Sequence, residues 1–110
     1  MDNETLIRTR IRRMPDIFHA AEKNDVDELK EALEQGQRLD ARQPKLLNMT
    51  PLHVACIRSS NAFLEVAIQH GSCDPWLRDD NLRVAFDHAA ARNNKVAMQL
   101  TLDAMYPRPL

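Results

Sequence analysis

The sequence predicts an all-α fold of three antiparallel helix pairs laid side by side, and three observations carry that expectation. A pair of small residues, Ala20-Ala21, returns as Ala55-Cys56 and again as Ala89-Ala90; the steps from 20 to 55 and from 55 to 89 are 35 and 34 residues. A polar turn follows each pair: Asn24-Asp25, then Ser59-Ser60-Asn61, then Asn93-Asn94. A stop closes each unit, Gly36, Gly71 and finally Pro107. Small residues let packed helices approach closely where larger side chains would clash. Glycine ends a helix by taking the left-handed conformation, and proline cannot continue one. Three independent markers agreeing on one period describe a unit that is repeated because it cannot bury its apolar side alone.

Composition sets the outer bounds. A chain of 110 residues is most simply one domain, spanning 1–110, with modest stability because folding at this size buries about 60–70% of the unfolded surface. Hydrophobic residues at 44% and charged residues at 28% are ordinary globular values. The net charge of −1 gives no general attraction to nucleic acid or anionic lipid. Apolar runs are far too short for a membrane span. Met1-Asp2-Asn3-Glu4 lacks the basic start and apolar stretch of a secretory signal. Two cysteines, Cys56 and Cys73, are too few for a disulfide framework, so a reduced, cytoplasmic setting is the default.

In order along the chain, residues 3–13 carry Leu6, Ile7 and Ile11 at helical spacing, with Arg8, Arg10, Arg12 and Arg13 on the other faces and Pro15 as terminator. This segment, 1–14, reads either as an N-terminal capping helix over the first pair or as a basic amphipathic arm for a membrane surface or acidic partner. The first pair then runs Asp16 to Lys23 and, after Asn24, from a capping-box pattern of Asp25 with Glu28 through Val26, Leu29 and Leu33 to Gly36. The second runs Leu52 to Arg58 and Ala62 to His70; the third, Phe86 to Arg92 and Lys95 to Met105. The corresponding units are 15–47, 48–81 and 82–110.

The middle unit opens on Thr50-Pro51-Leu52-His53-Val54-Ala55. Thr50 is a suitable N-cap, and Pro51 suits the first helical position, where its missing N–H costs nothing. His53, in the first turn, is placed to hydrogen-bond the Thr50 hydroxyl and a neighbouring backbone group. This hexapeptide resembles the T-P-L-H-x-A signature of the ankyrin repeat family at every specified position. The resemblance implies a short ankyrin-like solenoid of about three repeats with hairpin finger loops, here Leu39 to Met49 and Cys73 to Arg83. It also implies that Thr50, Pro51 and His53 form a structural cap tying adjacent repeats together. The chain departs from the family in several places. Pro15-Asp16-Ile17-Phe18 and Val84-Ala85-Phe86-Asp87 stand where the flanking repeats would repeat the cap motif, and Asn48 stands where a glycine is usual. Asn24, Ser59 and Asn93 replace the turn glycine; asparagine tolerates left-handed backbone better than serine, so strain is expected at Ser59.

Catalytic chemistry finds little support. His70 and Cys73 are three apart, a zinc-like spacing, but no second pair of ligands accompanies them. Cys56 occupies a small-residue core position and reads as an inert buried thiol. No nucleophile elbow, phosphate-cradling glycine loop or H-E-x-x-H is present, and the two glycines are explained as helix stops. The expectation is a non-enzymatic chain without metal, cofactor, small-molecule substrate or nucleic acid, and a monomer.

By the same resemblance, a partner protein would be met by the finger tips and the exposed side of each first helix. Here those positions include Leu46, Leu47, Met49, Ile57 and Arg58 in the second unit and Arg83 and Arg92 in the third. The second set is apolar for places that should face water, a usual mark of a partner site. Trp76, beside Leu77 and Arg78 in the second finger, has hot-spot character. Leu46, Leu47 and Trp76 are equally compatible with folding down to pack the long fingers. Arg58, Arg83 and Arg92 suit an acidic partner. The expected role is an adaptor, inhibitor or regulatory subunit. The alternatives are a small stack that self-assembles through its ends, which the polar Lys95, Gln99, Thr101 and Asp103 of the last helix argue against, or membrane-surface association through the N-terminal helix.

Overall fold

Each expected pair forms because its caps and turns are written locally. The computed structural model describes residues 14–107, and among these six α-helices follow in order: α1 (Ile17–Lys23), α2 (Val26–Glu34), α3 (Pro51–Arg58), α4 (Asn61–His70), α5 (Ala85–Ala91) and α6 (Lys95–Met105). A 3-10 turn, Pro44–Leu46, interrupts the long connection between α2 and α3. Extended structure among the described residues is limited to an isolated antiparallel bridge between Gln43 and Met49. The helix expected over residues 3–13, and with it the choice between cap and basic arm, lies outside the described residues.

The three inter-helix turns share one geometry. Asn24, Ser59 and Asn93 all take left-handed backbone, with φ of 56°, 56° and 52°. The next N–H then reaches back to a helix carbonyl: Asp25 to Ala20 at 2.9 Å, Ser60 to Ala55 at 2.8 Å, Asn94 to Ala89 at 3.0 Å. Asp16, Asp25 and Asn94 cap the helices that follow them through side-chain oxygens accepting from Phe18, Glu28 and Ala97 N–H groups. Gly71, at φ 83°, closes α4 in the same left-handed conformation, and Gly36 at φ 85° follows α2.

Helices α1, α3 and α5 pack in sequence as one row, α2, α4 and α6 as a second row behind it. The core runs between the rows, with Ile17, Leu29, Leu52, Phe63 and Leu64 essentially buried. Ala20, Ala55 and Ala89 are fully buried along the first row, where side chains of larger volume would force the helices apart. Polar side chains at the turns tie neighbours together. Ser60 Oγ donates to the Ala21 carbonyl at 2.5 Å, Asn24 Oδ1 accepts from the Phe63 N–H at 2.9 Å, and the Asn61 and Asn94 amides meet at 2.8 Å.

Several details differ from the sequence reading. Helix α3 is not amphipathic in place, since Pro51 through Cys56 are all buried between α1, α4 and α5. The residues that cap the first helices are Asp16, Thr50 and Val84, evenly 34 apart, so Asp16 rather than Pro15 corresponds to Thr50 and α1 is one residue shorter than α3. Only half of the Asp25–Glu28 box forms. The Glu28 carboxylate turns instead to the Asp16 N–H at 2.9 Å and to His19 at 2.6 Å. Thr101 does not face water; it is 1% exposed and its hydroxyl donates to the Ala97 carbonyl at 2.8 Å, while Val96 and Leu102 lie exposed. Ala90, unlike Cys56 at the matching place, is exposed because no described helix lies beyond it.

Two stability outcomes are expected. Leu52→Ala should lower unfolding free energy in urea titration by about 2–5 kcal/mol, because the cavity opens at a core position only 1% exposed. Ser59→Gly should raise it by about 0.5–1 kcal/mol, since relief of an L-residue's left-handed penalty exceeds glycine's entropic cost; an unchanged or lowered midpoint would show that the turn carries no strain.

Candidate functional site

The long connections that precede α3 and α5 form two loops that are fastened to each other. In the first, Leu39 is buried as an anchor, Gln43 N–H donates to the Met49 carbonyl at 3.0 Å, and Pro44 starts the 3-10 turn that lifts Leu46 and Leu47 outward. In the second, Asp79 N–H donates to the Arg83 carbonyl at 3.0 Å and Leu82 N–H returns to Asp79 at 2.9 Å. The Arg42 guanidinium joins the two, donating to the carbonyls of Asn48 (3.0 Å) and Arg78 (2.6 Å). Asn48 Nδ2 donates to Asp80 Oδ1 at 3.0 Å, and Asp80 N–H to the Leu47 carbonyl at 2.8 Å.

A buried polar network roots this loop pair in the helices. His53 Nδ1 accepts from the Thr50 N–H at 3.1 Å and lies 2.7 Å from the Thr50 hydroxyl, closing a capping box at α3. Its Nε2 is 2.8 Å from the Arg83 carbonyl. A carbonyl can only accept and an amide can only donate, so the ring is the neutral tautomer with the proton on Nε2. Burial is the main cause that pushes the His53 pKa down, against the opposing pull of the Arg83 carbonyl and the Asp79 charge. Beside it, His88 Nε2 donates to Asp79 Oδ2 at 2.8 Å, and the two imidazoles meet edge to face with centroids 5.7 Å apart. Burial works against the Asp79 carboxylate, yet the His88 hydrogen bond and the Arg83 and Asn81 N–H groups together hold its pKa below the usual carboxylate value. Among the described residues no buried side-chain polar atom lacks a partner.

The expected surface residues separate. Leu46 and Leu47 stand out, 44% and 46% exposed, rather than folding down. Arg58, Arg83 and Arg92 are exposed, Arg58 within 3.6 Å of Glu22. Trp76 is 47% exposed but half-docked: its Nε1 donates to the Met105 carbonyl at 3.2 Å and its ring meets Tyr106 edge to face at 5.2 Å. Met49 does not belong with them. It is 9% exposed and lies in the core cluster, because the bridge to Gln43 turns its side chain inward. Ile57 is half-buried and packs against the same core. Leu82, passed over in the sequence, is 71% exposed at φ 62°. It lies 34 residues after Asn48, at φ 55°, so the repeat shift itself pointed to it.

No group of three or more His, Cys, Asp or Glu side chains able to hold a metal occurs among the described residues. His70 Nδ1 lies 2.7 Å from Ser72 Oγ. Burial pushes the Cys56 thiol up to about 12, leaving it protonated and unreactive.

Over 83 residues, 76% of this chain, the sequence is 31% identical to transient receptor potential cation channel subfamily A member 1 of Homo sapiens, and the match spans 7% of that protein's length. No protein-family model matches the chain.

The network gives stability a pH dependence with a definite sign. His53 has a lower pKa folded than the ordinary imidazole value of about 6.5, so its contribution is complete above that pH. It is lost as pH falls through the folded value, because the unfolded chain takes up the proton first. Asp79 adds a second loss at lower pH, as its depressed carboxyl protonates. Urea midpoints should therefore fall between pH 7.5 and pH 5.5, and a His53→Gln variant should show a flatter slope over that interval.

Proposed function

We propose that this chain is a short ankyrin-type solenoid, with units 15–47, 48–81 and 82–110, that binds another protein and catalyses nothing. The observation that carries the reading is the pair of loops clamped by Arg42 and rooted through His53 and Asp79, which hold exposed leucines beside exposed arginines. The thrice-repeated turn geometry and the T-P-L-H-x-A segment support the repeat assignment, and the 31% identity to part of a much longer protein fits a module of such a protein. Partner contacts are assigned to Leu46, Leu47, Arg58, Trp76, Arg83 and Arg92. Thr50, Pro51 and His53 serve the fold. No helix among the described residues is long and apolar enough to cross a membrane, and both thiols are free, which suits a cytoplasmic setting.

Affinity capture with the purified chain, followed by mass spectrometry and by equilibrium binding of the recovered protein, tests the reading. The double variant Arg58→Glu/Arg92→Glu should weaken that binding at least about tenfold, while Lys30→Glu on α2 leaves it unchanged. Failure to recover any saturable protein partner would contradict the assignment.

A further inference from the structure

The loop edge carries features that the fold does not need. Leu47 and Leu82 hold left-handed backbone, at φ 55° and 62°, a conformation that a bulky side chain adopts only at a cost and that asparagine or glycine would relax. Both are exposed, as is Leu46, so their side chains return little packing to offset that cost.

The charges around them are uneven. Arg42, Lys45, Arg78 and Arg83 are exposed, and among the described residues none lies within ion-pair distance of a carboxylate. The neighbouring acids are already engaged: Asp40 with Arg38, Asp79 with His88, and Asp80 with the Asn48 amide. An edge of leucines rimmed by unneutralised cations is complementary to apolar side chains flanked by carboxylates. The Arg42 clamp and the Asp80-to-Leu47 hydrogen bond fix the two loops beforehand, so a ligand spends little on ordering them.

We propose that the joined loops dock an acidic segment of a partner protein that carries leucine- or phenylalanine-sized anchors. The anchors cover Leu46, Leu47 and Leu82, and the carboxylates meet Lys45, Arg78 and Arg83. The inference rests on the protein-binding reading and gives that partner its chemistry. An anionic membrane offers similar complementarity, but Asp80 lies between the loops, where a continuous anionic surface is repelled and a peptide can place a neutral or basic residue.

The test is selection from a displayed library of random peptides about 16 residues long against the full chain. Synthesis of the most enriched peptide and fluorescence anisotropy then follow. The expected peptide is net acidic with at least two large apolar residues. Its affinity should fall at least about tenfold in Leu47→Asp and in Leu82→Asp, and should weaken as salt rises from about 50 to about 300 mM. Arg78→Glu should weaken it too, and an Asp→Lys exchange in the peptide should restore part of the loss. Circular dichroism of each variant should match the parent, since all three sites are exposed. Basic or uncharged peptides, binding insensitive to these variants, no enrichment, or Leu47-dependent flotation on phosphatidylserine vesicles without peptide binding would each overturn the proposal. Peptides whose binding is lost only in Arg58→Glu/Arg92→Glu would overturn it while leaving the protein-binding reading in place.

Discussion

Helix α3 is enclosed on every side until its last two residues, and the rest of the molecule depends on that enclosure. A short helix in water is marginal by itself, and tertiary packing has to supply its stability. Here the packing comes from α1 on one side, α5 on the other and α4 behind, with Ala20, Ala55 and Ala89 permitting the close approach. The middle pair is therefore the common wall, and damage there should reach both neighbours.

The same helix joins fold to surface. His53 is spent on three things at once: the start of α3, the Arg83 carbonyl at the base of the second loop, and an edge-to-face contact with His88. His88 in turn holds Asp79, whose other oxygen accepts two loop N–H groups. A buried network in which every polar atom is partnered is rigid, and a half-satisfied one would be worse than an apolar core. The exposed leucines and arginines are thus displayed on a frame continuous with the helix core rather than on free loops.

Much of this was legible in the residues and some was not. The helix pairs, turns and stops could be read because each is set locally, by a small pair, a left-handed turn residue or a glycine. The one-residue shortening of α1 was not, because between the first two units the small pair steps by 35 residues and the cap by 34, and only packing shows which governs the start. Met49 and Thr101 were misplaced for a related reason. A place in a finger loop, or one polar residue in a helix, does not say which side meets the core until the Gln43 bridge or the Ala97 carbonyl is in place. The Asp79–His88 pair has no periodic signal at all, and Arg42 acts through backbone carbonyls that no side-chain pattern marks.

Native-state hydrogen exchange, followed helix by helix as urea is raised below the unfolding midpoint, tests the central dependence most directly. If the middle pair is the common wall, amides of α3 and α4 are the last to exchange, and no other helix retains protection once they open. Protection that persists in α1 and α2, or in α5 and α6, after α3 has exchanged would contradict it.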